Sequence, residues 1–234
     1  MTAHPFLDLQ AIDTALDTIG NRRPRLPEVA ARQRDAAAVA EVRTAMATAQ
    51  ARIDAADASI AAAEHTAADL TARRSRLEAQ LKTVIAPREA EALMTQIATL
   101  NARRSECDDE ELAALDVQGG AEADLAALQE RLPELEAALA TSAAALDAAM
   151  AALDAEAADL TARRAQKLVG FAPDQLAAYD HVRKQFGGVG VAHLEGSHCG
   201  GCHMDLSPAE LDIVKRVPVG ELGECPQCGR ILVR

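Results

Sequence analysis

The sequence predicts a mainly α protein: a long antiparallel coiled-coil helical hairpin followed by a small, β-rich C-terminal module. Three observations carry that expectation. Apolar residues step by three and four over most of the chain, which is the mark of one continuous helical face. A proline interrupts the stepping once, between two long periodic arms. Four of the five cysteines then fall between residues 198 and 230, in two C-x-x-C pairs.

Composition fits this picture. Aromatics make up 2% of the 234 residues, and there is no Trp. A chain so poor in large side chains cannot fill a thick core. Close helix–helix contact through Ala and Leu is the natural use of its apolar content. The formal net charge is −12. Sequence-independent binding to DNA or RNA neutralises phosphates with Lys and Arg, so general nucleic-acid binding is disfavoured, although a local basic patch could act. No run of about 18 apolar residues is present, and no transmembrane span is expected. The start, MTAHPFLDLQAIDTALD, has neither a basic n-region nor an apolar h-region, so no signal peptide is expected. The expected setting is the cytoplasm, where thiols stay reduced. Clustered cysteines then read as metal ligands before disulfides.

The first element is a short amphipathic helix over 6–19, with Leu9, Ile12, Leu16 and Ile19 on one face. GNRRPRLPE, residues 20–28, reads as a turn. From 28 onward, Val39, Val42, Met46, Ala49, Ile53, Ala56, Ile60, Ala63, Ala67 and Leu70 form an unbroken seam. It continues through Arg74, Leu77, Leu81 and Val84. More than six heptads of this kind argue for a coiled coil. Pro87 lacks an N–H and disfavours helix at Ala86, so residues 85–88 read as the hairpin tip.

The second arm runs from 88 to 168. Leu93, Ile97 and Leu100 set its register, and Cys107, Ala114 and Ala121 continue one seam row. Leu125, Leu132, Leu139, Leu146, Leu153 and Leu160 then recur every seven residues, with Leu128 and Leu135 in the other row. Gly119-Gly120 is expected to kink or break the helix. Pro133 is expected to bend it again, and the register is expected to shift locally near Leu112 and Leu115. The first arm would span roughly 85 Å and the second roughly 120 Å. The excess needs another partner, and the helix at 6–19 is the candidate, giving three helices at the base. Both flanking arms are periodic, so pairing is expected within the chain. The heptad ADLTARR occurs at 68–74 and again at 158–164; two similar coiled-coil heptads explain it better than a duplicated binding element.

A further helix is expected over Pro173–Gln185, and Gly187, Gly188 and Gly190 then mark a linker. The expected division is a coiled-coil hairpin domain over 1–186 and a metal-binding ribbon over 187–234.

The pairs Cys199/Cys202 and Cys225/Cys228 can each form a tight knuckle. Together they give four thiolates in a tetrahedron, which suits one structural Zn²⁺ at about 2.3 Å. Gly200, Gly201 and Gly229 would let the backbone turn toward the sulfurs without a Cβ clash. Rubredoxin-like iron uses the same geometry and stays open at this point. Catalytic zinc keeps an open position with three protein ligands, and four cysteines close the site. His198 and His203 flank the first knuckle as candidates for spare ligands, with a surface or second-sphere place the stronger expectation. Cys107 reads as a small buried seam residue. Without metal the module has little to fold around, and zinc would supply much of its folding free energy, on the order of 10 kcal/mol.

C-G-G-C, then S-P-A-E-L at 207–211, then C-P-Q-C-G-R-I-L at 225–232 resembles the bacterial C4-type zinc-ribbon proteins with an N-terminal coiled-coil hairpin. LDLQAIDTALD, REAEALMTQIATL and CDDEELAAL are similar to that family too, so the resemblance covers essentially the whole chain. It implies a long helical hairpin with a zinc ribbon at its base and no enzymatic activity. Family members are described as nucleic-acid-binding or regulatory proteins, in some bacteria linked to flagellar biogenesis and transcription.

The expected function is a non-enzymatic adaptor or regulator that binds a protein partner, such as transcription machinery, with no small-molecule substrate. The alternative is direct nucleic-acid binding. Its candidate contacts are Lys215, Arg216, Arg230 and Arg234 in the ribbon, with Arg73, Arg74, Arg76, Arg103, Arg104, Arg163 and Arg164 on the coil. The ribbon has no Phe, Tyr or Trp to stack on bases. No nucleophile–base signature, phosphate-binding Gly loop or open metal site points to an enzyme.

Overall fold

The structure is a computed structural model, and it describes residues 4–218 and 221–233. Its α-helices are α1 (Pro5–Arg22), α2 (Pro27–Leu81), α3 (Pro87–Leu168), α4 (Pro173–Gln185) and α5 (Pro208–Arg216). Each begins on a proline, whose fixed φ and missing N–H suit the first turn of a helix. The strands are β1 (Val191–Glu195), β2 (His198–Cys199), β3 (Gly223–Glu224) and β4 (Ile231–Val233). They form one sheet in the order β2-β1-β4-β3, with β1 and β4 parallel and both outer pairings antiparallel.

The chain divides into two compact units, Ala31–Ser142 and the remainder. The Ala31–Ser142 unit is a two-helix hairpin. Its seam buries Val39, Val42, Ala49, Ile53, Ala56, Ala63 and Leu70 of α2, and Cys107, Ala114 and Ala121 of α3. Polar ties set the register: Arg43 to Glu136 at 2.6 Å, Arg52 to Asp124 at 2.8 Å, and Gln118 Nε2 to Asp57 Oδ1 at 2.6 Å. As one partner's number rises, the other's falls in step, which fixes an antiparallel pair. The turn occupies 82–86, and Ile85 at its apex is 96% exposed.

Three expectations for this hairpin change. The helix does not break at Gly119-Gly120, because α3 is a single helix of 82 residues. Two glycines cost only about 1 kcal/mol each, and fully buried Ala121 anchors the next turn in the seam. The register does not shift near Leu112 and Leu115. Those side chains are 61% and 42% exposed, off the seam. The heptad phase runs on through half-buried Arg104, Glu111 and Gln118, a polar stretch that hydrophobic stepping alone misreads. The turn expected over 20–28 is also shorter. α1 continues through Gly20, and a 3₁₀ turn, Arg23–Arg25, leads almost directly into α2.

One stretch of α3 reaches a mean hydropathy of 1.3, long and apolar enough by composition to cross a membrane. The expectation of no such span counted unbroken apolar runs, whereas alanine raises hydropathy without forming one.

In the second unit α1 packs on the C-terminal part of α3. Ile12 and Ile19 bury against Leu153 and Leu160, so a third helix is present as expected. Lys167 pairs with Asp8 at 2.7 Å, Arg164 Nε with Asp13 at 2.6 Å, and Arg23 with Asp154. The two copies of ADLTARR do equivalent structural work. Leu70 and Leu160 are buried, Thr71 and Thr161 return hydrogen bonds to the carbonyl four residues back, and Arg74 and Arg164 reach across to another helix.

The aromatic residues gather here. Phe6, Phe171 and Tyr179 form one cluster, with Phe6 and Phe171 centroids 4.4 Å apart. Phe6, Leu9, Tyr179 and Val182 share a core with Val191, Ile231 and Val233. The glycine segment at 187–190 therefore marks the change from helix to strand, while apolar packing passes across it. The Gln10 side chain adds a clasp. Its Oε1 accepts from the Val191 N–H at 2.6 Å, and its Nε2 donates to the Val191 carbonyl at 2.9 Å.

Candidate metal centre

The two C-x-x-C pairs are built on the same backbone plan. In the first, the Cys199 N–H donates to the Met204 carbonyl at 3.0 Å, and the His203 N–H donates to the Cys199 carbonyl at 2.8 Å. In the second, the Cys225 N–H donates to the Arg230 carbonyl at 2.8 Å, and the Gly229 N–H donates to the Cys225 carbonyl at 2.7 Å. Donors and acceptors occupy matching offsets from the first cysteine of each pair. Each turn closes through a left-handed residue, His203 at φ 58° and Gly229 at φ 75°.

The sheet sets these knuckles side by side. β2 carries Cys199 beside Leu194 of β1, and β3 leads into Cys225. Gly200 and Gly201 are needed for close approach to β1. A Cβ at Gly201 would lie 2.8 Å from Ala192 Cβ, and one at Gly200 would lie 3.1 Å from the His193 carbonyl. The Cβ clash expected at these glycines is thus one with β1, and neither glycine has a positive φ.

The sulfurs of Cys199, Cys202, Cys225 and Cys228 all lie within 4.8 Å of one another. Cys202 and Cys225 Sγ are 3.9 Å apart. A tetrahedral Zn²⁺ with bonds of about 2.3 Å requires sulfur–sulfur edges of about 3.8 Å, so the four residues fit the ion. Cys199 and Cys225 are buried, and Cys202 and Cys228 partly so. In the protein alone, burial pushes the Cys225 thiol up to about 12 and raises that of Cys202. Burial also pushes the Cys228 thiol up, but hydrogen bonds from the Arg230 backbone N–H and guanidinium, together with those from Cys225 and Cys202, bring it below its ordinary value. Buried thiolates need a cation, and zinc supplies it while displacing the protons. All four positions are filled by protein sulfur, which is the arrangement of a structural site.

Helix α5 braces the second knuckle. Ser207 and Glu210 form a capping box: the Glu210 N–H donates to Ser207 Oγ at 3.4 Å, and the Ser207 N–H donates to the Glu210 carboxylate at 2.8 Å. The same carboxylate accepts from Gln227 Nε2 at 2.6 Å, and Gln227 sits between Cys225 and Cys228. The Ser207 backbone bond holds the Glu210 carboxyl below its ordinary value. Ser-x-x-Glu ahead of a short amphipathic helix is a readable signal for the cap. Nothing in the sequence marks its link to Gln227.

The other expected contacts fall as follows. Arg230 is partly buried; its Nε donates to the Val189 carbonyl at 2.9 Å, and its guanidinium lies 4.3 Å from the Phe186 ring centroid. It is therefore committed to the ribbon. Lys215 and Arg216 are exposed in the last turn of α5, where cations complement the helix dipole. Arg234 lies outside the described residues, as does Val219. His198 faces Asp205 at 3.3 Å, and among the described residues the group able to hold a metal contains the four cysteines alone. On the coil, Arg164 is held by Asp13, and Arg74, Arg104 and Arg163 each pair with an acidic residue four positions away.

A long helical hairpin joined in sequence to a closed four-cysteine ribbon defines a class of coiled-coil zinc-ribbon proteins with one structural zinc. Residues 9–187 match the CT398-like coiled-coil hairpin domain and residues 198–232 the C4-type zinc ribbon domain. The chain belongs to the CT398-like coiled-coil hairpin family. Two relatives from Mycobacterium tuberculosis strains, the uncharacterized proteins MT2288 and Rv2229c, are each 28% identical over 98% of this chain and 94% of their own. Among solved structures, CT398 from Chlamydia trachomatis superposes with a TM-score of 0.83 at 20% identity, over 97% of this chain and 95% of its own. A protein from Mycobacterium smegmatis gives 0.75 at 22% over the whole of both chains. HP0958 from Helicobacter pylori gives 0.63 at 15%, over 97% and 94%. At these identities the likeness is one of fold.

Proposed function

We infer that this chain is a non-enzymatic adaptor or regulator, in which the zinc ribbon presents a fixed surface to a protein partner such as a component of transcription machinery. The closed four-thiolate centre carries this reading. A metal with no free position holds shape and offers no place for a substrate. The α5 cap and the Gln227 tie support it, because both spend polar side chains on fixing the ribbon's surface. Cysteines gathered as metal ligands rather than in disulfides support a cytoplasmic setting.

The test is a pull-down with the intact protein beside a Cys225→Ser/Cys228→Ser variant. The reading expects the variant to lose the partner that the intact chain captures. Retention of every partner would remove the ribbon from recognition. A mobility shift of RNA or DNA at low salt, fading as salt rises and abolished by Lys215→Glu/Arg216→Glu, would replace the protein-adaptor reading with nucleic-acid binding.

A further inference from the structure

One side of the Ala31–Ser142 hairpin carries a groove that repeats with the coiled coil. Nearest the turn it is lined by Arg73, Arg76 and Gln80 of α2 and by Gln96, Thr99 and Arg103 of α3. Two heptads further from the turn, the same positions are Ser59, Ala62, Thr66, Glu110, Ala113 and Val117. Two heptads further again, the α2 positions are Ala45, Thr48 and Arg52, facing Asp124 and Ala127 of α3. Equal spacing on both helices makes these three stretches one continuous surface.

The charge along this surface is uneven. Arg52 and Asp124 neutralise each other at 2.8 Å. Next to the turn, Arg73, Arg76 and Arg103 are exposed and make no ion pair among the described residues. Over 73–104 there are seven basic and three acidic residues, against −12 for the whole chain. Immediately afterwards, residues 106–111 read ECDDEE, five acidic side chains in six positions. Of these, Glu106 and Glu110 are exposed and unpaired among the described residues; Glu110 lines the middle stretch of the groove, and Glu106 lies one heptad from Thr99 and Ala113, in the same row. Val117, on the same stretch, is 48% exposed.

A basic stretch next to an acidic one on a single face is self-complementary under a two-fold rotation. With the axis between Arg103 and Glu110, the arginines of one copy face the acids of the other, and the converse contact forms at the same time. We propose that this groove is the site of a homodimer, in which the Arg73/Arg76/Arg103 stretch of each hairpin docks on the Glu106/Glu110 stretch of a second copy. The two stretches together run roughly 33 Å along α2 at about 1.5 Å per residue. Both hairpins stay intact, since the seam between α2 and α3 remains paired within each chain. The attraction is between exposed charges, so it weakens as the Debye length shrinks to about 3 Å near 1 M salt.

The experiment is sedimentation velocity on the full, zinc-loaded chain at low and high salt, with two charge variants whose helicity is checked by circular dichroism. Wild type is expected to sediment as a dimer at low salt and to dissociate at high salt. Arg73→Glu/Arg76→Glu/Arg103→Glu leaves acid facing acid, and Glu106→Arg/Glu110→Arg leaves base facing base. Each variant alone is expected to be monomeric, with self-affinity at least tenfold weaker. Their equimolar mixture is expected to recover the dimer, because the reversed stretches then match. A wild-type monomer at low salt overturns the proposal, as does a dimer indifferent to both variants. Two folded monomeric variants that fail to associate when mixed overturn the assigned surface. None of these outcomes depends on what the ribbon binds.

Discussion

His203 and Gly229 occupy equivalent places in the two knuckles, and both hold positive φ. Glycine takes that conformation freely, whereas a side chain there costs about 1–2 kcal/mol. Gly229→Ala should therefore destabilise the zinc-loaded ribbon by about 1–2 kcal/mol, while His203→Gly should be neutral or stabilising by up to about 1 kcal/mol. Thermal unfolding of the two variants checks this, and a large loss on His203→Gly would mean that the imidazole has a role of its own. A second residue of consequence is Asp13, 3% exposed. It accepts from Tyr179 Oη at 2.8 Å and from Arg164 Nε at 2.6 Å. Asp13→Ala strands both donors and should cost about 2–3 kcal/mol, at the low end because Arg164 keeps some contact with water. Burial, and then the Asp13 bond, raise the Tyr179 phenol well above its ordinary 10.0. A folded value above the unfolded one gives stability that is complete below pH 10 and declines as the unfolded chain begins to ionise. Tyr179 is the chain's one tyrosine, so tyrosinate absorbance should appear together with unfolding. Tyr179→Phe should flatten the alkaline loss.

At the scale of elements, α3 passes through Gly119-Gly120 without a break, and a Cβ at either glycine would meet nothing within 4 Å. Gly119→Ala/Gly120→Ala should then stabilise the hairpin by about 1–2 kcal/mol through helix propensity alone. Urea denaturation measures it, and a loss of stability would mean that the glycines serve a bend. This is also where sequence and structure part. The leucine heptads, Pro87 and the C-x-x-C pairs were legible because each signal is local and has one structural meaning. The Gly-Gly pair and exposed Leu112 and Leu115 misled because a seam fixed elsewhere carries the helix past them. The Gln10 clasp on Val191 joins residues 181 positions apart, and no periodicity encodes such a contact. The Ser207–Glu210 cap was readable as a pattern, and Ser207→Ala should cost about 1 kcal/mol. Its bond to Gln227 follows only from the fold.

For the whole molecule, the ribbon holds two apolar clusters with different supports. One contains Ala192, Leu194, Leu206 and Val214 beside the cysteines. The other is shared with α1 and α4. Removing zinc with a chelator should open the first and spare the second. Amide hydrogen exchange should then rise in both knuckles and α5, while α4 stays protected and the far-ultraviolet helical signal barely changes. The central claim is that the metal centre is closed and structural. X-ray absorption at the zinc edge tests it most directly. The account predicts one zinc per chain with four sulfur neighbours at about 2.3 Å and no lighter ligand. A shell with three sulfurs and an oxygen or nitrogen would reveal an open or exchangeable position, contradict the structural role, and return the ribbon to the class of sites that do chemistry.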